Sequence, residues 1–240
     1  MIYHSSVKLA PSFYCYLWEG KGNNCNTSFL PDALRGERPH VLVDPGHIRN
    51  ELGERCFDSL REAMGKDGFK IQDIGLVLCT HCHPDHFEAV GAIVNQNTLL
   101  ALSREEEKYC QEAGKLLFST FGARLPQAKP FFYLTEGNLK LGTKNKVSLR
   151  VLLTPGHSPD SISFYLEKEK ILISGDVVFF GSVGRTDFPG GSLSLLRQST
   201  DKLSQLDVEY LVPGHSTELG GIIAGKEKVK RNFQMIKIFF

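Results

Sequence analysis

Four side chains able to hold a metal ion fall within six residues of one another. Residues 80–91 read T-H-C-H-P-D-H-F-E-A-V-G, and His81, His83, Asp85 and His86 offer imidazoles and a carboxylate, the donors that a borderline or hard divalent cation takes. A lone His-x-His pair on a surface would carry little meaning. Here three further candidates recur downstream: His157 in T-P-G-H, Asp176 in S-G-D and His215 in P-G-H. Each follows a short apolar run of strand length, and glycine at such an end lets the backbone turn sharply and present a side chain at a sheet edge. Five of the eight histidines are used in this way. Alternation along an extended loop aims His81 and His83 one way while the next turn aims Asp85 and His86 another, which suits two adjacent ions.

The set His81, His83, Asp85, His86, His157, Asp176 and His215 resembles the metallo-β-lactamase superfamily, whose His-x-His-x-Asp-His loop, later His, bridging Asp and final His occur in this order. The resemblance runs over nearly the whole chain and implies an α/β fold, a four-layer αββα sandwich with the metals at one edge of the paired sheets. It implies that His81, His83 and His157 hold a first ion, that Asp85, His86 and His215 hold a second, and that Asp176 bridges them. Substrate is not specified by such a likeness, because function lives in the site and its walls. Gly-Arg-Thr-Asp-Phe at 184–188 looks like the corresponding motif of glyoxalase II-like thioester hydrolases and of persulfide dioxygenases.

The chemistry implied by a dinuclear centre is hydrolysis. Two cations sharing a water bring its pKa to near neutrality and present a metal-bridging hydroxide to a thioester or related ester, with Asp85 also able to orient the nucleophile. Two divalent ions are expected, zinc first, with iron or manganese compatible with the same donors. The rival reading is a mononuclear Fe(II) persulfide dioxygenase acting on glutathione persulfide and using His81, His157 and Asp176. Against it, the last ligand stands in Pro-Gly-His-Ser-Thr, which resembles the hydrolases, whereas the dioxygenases tend to have Pro-Ala-His-Asp-Tyr. A non-enzymatic metal-binding module is a third reading, which the intact ligand set disfavours.

Three residues outside the ligand set are candidates. Asp44, in V-D-P-G after the apolar run at 40–43, is a turn residue or, by the resemblance, a carboxylate beneath the metal loop that holds a ligand imidazole in one tautomer. His47, just beyond, is expected to be a solvated loop histidine, with an approach to the site mouth as the alternative. Arg185 has a planar fork suited to a substrate carboxylate, and the competing reading is an internal salt bridge to Asp187. Cys79 and Cys82 form a C-x-x-C without a second such pair, so Cys79 is expected to end a buried strand and Cys82 to point away from the metals.

Around these residues the chain supplies the elements that must position them. With 240 residues, 41% hydrophobic content, 28 basic and 27 acidic side chains and a net charge of +1, it can bury a substantial core and carries no charge run that would suggest nucleic acid as a partner. We expect one domain over 1–240 with an insertion near 103–135, a small-molecule substrate such as a glutathione or other thiol conjugate, and no membrane partner; a homodimer is compatible with the sequence. Six scattered cysteines do not form a disulfide framework, and residues 1–8 lack the apolar core of a signal peptide, so a cytoplasmic location is expected. The patterning predicts strands near 13–18, 26–30, 40–43, 74–79, 98–102, 147–153, 161–166, 170–174 and 210–212. It predicts helices over 52–64, 87–94, from a cap at Ser103 to about 117, over 193–206 and along the tail 218–240. Residues 118–135, with Pro126 and Pro130, are expected to be irregular. The tail is too short for the extra C-terminal helical domain of glyoxalase II proper.

Overall fold

The computed structural model describes residues 2–142 and 147–240. Its first sheet contains β1 (His4–Ala10), β2 (Phe13–Trp18), β3 (Thr27–Leu30), β4 (His40–Val43), β5 (Ile74–Leu78), β6 (Leu99–Leu102) and β7 (Phe132–Tyr133), side by side in chain order. The first four are antiparallel neighbours and the last four run parallel. The second sheet is built from β8 (Gly137–Leu141), β9 (Val147–Leu153), β10 (Ile162–Leu166) and β11 (Ile171–Gly175), extended by β14 (Tyr210–Pro213) and β15 (Ile223–Ala224). Between β11 and β14 lies a two-stranded ribbon, β12 (Val178–Phe179) and β13 (Ser182–Val183).

Alternation along the strands produces the layers. Val41, Val43, Leu76 and Leu78 from the first sheet meet Leu149, Val151, Phe164, Ile171 and Ile173 from the second in a common buried cluster. Their neighbours Leu42 and Val77 face the other way, onto α1 (Cys56–Lys66), α2 (Pro84–Phe87), α3 (Val90–Ile93), α4 (Arg104–Gln111) and α5 (Lys115–Thr120). Leu152, Leu172 and Leu211 likewise face α6 (Leu193–Ser204) and α7 (Lys226–Met235) on the outside of the second sheet. The period-2 switch from inner to outer face requires two apolar surfaces per strand, and helices cover the outer ones. The result is the four-layer αββα arrangement that the family resemblance implies. Each fully buried Leu, Val or Phe in these clusters contributes roughly 1.5–3 kcal/mol relative to exposure.

Several elements differ from the sequence expectation. The helix predicted from 52 begins at Cys56, because Asn50 turns the preceding chain back through its side chain to the amides of Leu52 and Glu54. The helix capped by Ser103, whose hydroxyl accepts from the amide of Glu106 as expected, breaks after Gln111 and restarts at Lys115. The tail is not helical from 218: Ile223 and Ala224 pair with Leu211 and Tyr210, and the helix starts only at Lys226. β1 and β8 were not anticipated, since their alternation is half-exposed and weakly apolar. All six cysteines are unpaired and buried. No helix among the described residues is long and apolar enough to cross a membrane.

The feature that positions the site is shared by five strands. Asp44 follows β4, His81 follows β5, His157 follows β9, Asp176 follows β11 and His215 follows β14. β4 is parallel to β5 and β11 to β14, so these carboxyl ends lie along one edge of the sandwich.

Candidate metal centre

Three overlapping groups of donor atoms converge at that edge: His81, His83 and His157; His81, His86 and Asp176; and Asp85, His86 and His215, with the atoms of each group within 4.8 Å of one another. Local structure explains how one loop supplies four of them. Pro84 opens α2 after extended His83, so His81 and His83 leave an extended segment while Asp85 and His86 leave the first helical turn. Gly214 allows the closest approach, because a Cβ there would overlap Asp176 Oδ1 and press on His86. Gly175 takes φ +52 immediately before Asp176, a left-handed conformation that glycine adopts without steric cost.

The polar atoms in this cluster fit cations and fit one another poorly. His83 Nδ1 lies 2.8 Å from His157 Nε2, and His86 Nε2 lies 3.1 Å from His215 Nε2, so ring nitrogens face ring nitrogens. The buried His81 Nε2 has no hydrogen-bond partner. Asp176 Oδ1 has none either, although His86 Nε2 stands 3.1 Å away without hydrogen-bond alignment. Asp176 Oδ2 is 3.4 Å from both His157 Nε2 and His215 Nε2, which sets this carboxylate between the groups. Converging lone pairs with orphaned buried atoms are what a metal site leaves when only the protein is considered.

The titration of the donors divides by neighbourhood. Burial, with the adjacent imidazoles of His86 and His83, holds His81 well below its ordinary value; burial followed by His157 brings His83 down to about 3. Burial also lowers His157, against the pull of Asp176. For His86 and His215 burial works the same way but is outweighed by carboxylates, Asp176 and Asp44 for the first and Asp176 and Asp85 for the second, and His215 rises to about 9. Asp85 and Asp176 stay well below the usual carboxylate range despite burial, both held there by His215 and His86. A pair of carboxylates that draws protons onto two imidazoles is a site that favours positive charge.

The far sides of the rings are fixed by the protein. His86 Nδ1 meets Asp44 Oδ2 at 3.0 Å, and the same carboxylate accepts from the Thr80 amide at 2.8 Å and hydroxyl at 2.6 Å. Thr80 Oγ1 is in turn 3.0 Å from His81 Nδ1. His157 Nδ1 donates to the Arg185 carbonyl at 2.8 Å. Each contact leaves Nε2 of its ring for the centre. Asp44 thus lies beneath the loop that carries His81 and His86, held at φ +54, an uncommon conformation for aspartate.

Two further carboxylates were not anticipated. Glu106, read from sequence only as part of an acidic first turn, is fully buried and accepts from the Cys82 amide at 3.0 Å, the Ser158 hydroxyl at 2.5 Å and the Asp160 amide at 3.0 Å, tying the metal loop to the His157 loop. Glu88 accepts from His47 Nδ1, the Ile48 amide and the Arg124 amide, each at 2.9 Å. His47 is therefore not solvated but 3% exposed, a correction that sequence could not reveal because its partner lies 41 positions away. An acidic residue on a helix reads as solvent-facing unless the packing around it is known.

A cavity of about 500 Å³ opens over the cluster, lined by His83, Asp85, His157, Asp176 and His215 and walled by Asn23, His47, Glu51, Phe121, Phe179, Arg185 and Phe188. Phe121 comes from the 103–135 segment, which both packs on the sandwich and contributes to the wall. Arg185 binds Asp187 through two 2.6 Å contacts and stacks on Phe188 at 3.9 Å, so the internal salt bridge is present. Cys79 and Cys82 pack in the apolar cluster outside the first sheet, and burial pushes both thiols up, away from reactivity.

Residues 24–215 match the family described as the metallo-beta-lactamase superfamily. The chain belongs to it. Members of the superfamily use divalent metals, and the His/Asp cluster needed for them is present here. Among superfamily relatives, a probable metallo-hydrolase of Methanocaldococcus jannaschii is 33% identical over 193 residues, covering 78% of this chain and 87% of the relative. A hydroxyacylglutathione hydrolase of Haemophilus influenzae is 33% identical over 194 residues, covering 75% and 82%. Among solved structures of the superfamily fold, the B3 metallo-beta-lactamase BLEG-1 superposes with a TM-score of 0.67 at 27% identity, over 95% of each chain. A protein crystallised in a di-iron-bound form superposes with a TM-score of 0.65 at 27% identity, over 89% and 92%. These relatives support a metal-dependent hydrolase of this superfamily.

Proposed function

We propose that this protein hydrolyses a thioester or related ester, in the manner of glyoxalase II, at a dinuclear metal centre. The observation that carries the reading is the pair of abutting donor sets joined through Asp176, with His81 Nε2 and Asp176 Oδ1 left without partners between them. In this reading His81, His83 and His157 hold one ion, Asp85, His86 and His215 hold the other, and Asp176 serves both. Two divalent ions bound there would lower the pKa of a shared water and polarise the acyl carbonyl. Zinc suits the donors, and the di-iron form of the structural relative supports iron as the alternative.

The remaining work falls to the chain's own residues. Asp44 and the Arg185 carbonyl hold His86 and His157 in the tautomer that presents Nε2. Asp85 Oδ2, which accepts from Asn23 Nδ2 at 2.7 Å, orients the nucleophile. Arg185, whose Nη1 is outside its bidentate pair with Asp187, binds an acidic end of the substrate, and Phe121, Phe179 and Phe188 exclude water from the acyl group. A glutathione or similar thiol conjugate fits these requirements, and relatives named hydroxyacylglutathione hydrolase support it.

The test is elemental analysis of the purified protein paired with assays on lactoylglutathione and on glutathione persulfide. Two metal ions per chain with release of free thiol from the thioester is the expected result. One iron per chain with oxygen uptake on the persulfide would replace this reading by the dioxygenase one.

A further inference from the structure

Besides the donor cluster and Arg185, the cavity is lined by three polar side chains, Asn23, His47 and Glu51. His47 lines it, and its ring is held by Glu88 through Nδ1 at 2.9 Å. Glu88 is itself fully engaged as an acceptor: Oε2 also takes the Ile48 amide at 2.9 Å and Oε1 the Arg124 amide at 2.9 Å. With two amides already donating to that carboxylate, the proton of the His47–Glu88 contact belongs on Nδ1, which in the neutral ring makes Nε2 the acceptor. Nε2 has no partner among the described residues, although the residue is 3% exposed.

Two more acceptors share this wall. Asn23 spends its Nδ2 on Asp85 at 2.7 Å, leaving Oδ1 without a protein partner among the described residues. Glu51 takes the Asn23 amide with Oε1 at 2.8 Å and has its second oxygen free of protein partners. An imidazole, a side-chain amide and a carboxylate thus line the same cavity as Arg185, Phe121, Phe179 and Phe188, and Asn23 ties Glu51 to the Asp85 end of it. None of the three is needed to hold a metal ion.

We propose that Asn23, His47 and Glu51 form a subsite for a cationic hydrogen-bond donor, a primary ammonium carried by the substrate beside its scissile acyl bond. This deepens the thioesterase reading and rests on it for the reaction, though not for the binding. An ammonium has three donors and no acceptor, which matches the three acceptors lining this cavity one for one, whereas a carboxylate or phosphate would meet the like charge of Glu51. Glu88 acts through His47 and is a positioning residue.

The experiment compares two aryl thioesters, the S-acetyl derivatives of para-(aminomethyl)thiophenol and of para-methylthiophenol, which differ only in the ammonium and are too rigid for internal acyl transfer. The metal-loaded enzyme should prefer the ammonium-bearing one by about tenfold in kcat/KM, expressed in KM, as charge-assisted hydrogen bonds outweigh neutral ones. His47→Phe and Glu51→Gln should each shrink that ratio severalfold. Because the ratio compares two substrates on one preparation, loss of folded protein cancels. Glu88→Gln should lower the ratio partially, with His47 still present but no longer held in one tautomer. A wild-type ratio of one or less, or a ratio unmoved in both the His47 and Glu51 variants, overturns the proposal. If neither thioester is hydrolysed, the thioesterase reading fails separately, and calorimetry with the matching S-methyl thioethers decides the subsite: tighter binding of the amine sustains it, equal binding removes it.

Discussion

Asp44 and His86 are joined by a 3.0 Å contact from Oδ2 to Nδ1 that is buried from solvent on both sides. Asp44 also takes both donors of Thr80, whose hydroxyl contacts His81, so one carboxylate sets the rings of two donors of the cluster. Asp44→Asn keeps the shape but offers an amide that can donate, which allows His86 to flip tautomer. Metal affinity at the Asp85, His86 and His215 group is expected to fall by about 10–100-fold. Competition titration against a chromophoric chelator reads it, and an unchanged second-ion affinity would show that the contact does not steer the ring.

Removing the metals should destabilise the fold as well as abolish hydrolysis. Bound cations would give the facing imidazoles and the unpartnered His81 Nε2 the partner their lone pairs call for. Binding restricted to the folded state stabilises by about 2.7 kcal/mol when free metal stands at a hundred times its Kd. Calorimetric melting before and after chelation, with restoration by zinc or iron, checks the expected drop of several degrees; coincident melts would argue against a metal-dependent cluster.

Gly214→Ala should close the site with little effect on the sheets. The added Cβ would overlap Asp176 Oδ1 and crowd His86, while Pro213 and the rest of β14 keep their pairing. Loss of the bound metal with circular dichroism retained is the expected pattern. Full metal content in this variant would mean that the Asp176 carboxylate can move aside.

Glu106 links stability to pH. Burial pushes its carboxyl up to about 7 from an ordinary value of 4.5, against the hydrogen bonds from Ser158, Asp160 and Cys82. The folded protein therefore holds this proton more tightly than the unfolded chain does. Its contribution is fully present below about 4.5 and is lost as pH rises through about 7. Glu106→Gln should flatten that dependence, changing the difference between stability at about pH 5 and about pH 8 by roughly 1–3 kcal/mol. Urea titrations of the metal-stripped protein measure it, and an identical slope in both proteins would remove Glu106 as the cause.

Arg185→Ala should cost little in stability, because its pair with Asp187 is half-exposed and such pairs are worth about 0–1 kcal/mol. A rise in KM without a change in melting temperature would support substrate contact. If neither changes, the pair merely shapes the loop.

What the amino-acid sequence determined by itself was the chemistry of the centre and the layers that carry it. Ligand types are covalent facts, and period-2 apolar runs ending at Asp44, His81, His157, Asp176 and His215 already specify strands whose ends must meet. Ser103 was legible as a helix cap for the same reason, since its partner is three residues away. Glu106, Glu88 and His47 were not legible: each acquires its role from partners 24 to 54 positions distant, and only packing brings those together. The strand at Ile223 was decided the same way, by its pairing with Leu211 overriding local propensity. Local chemistry can be read along a chain, whereas the burial that turns an acidic surface residue into a clamp exists only once the sheets have closed.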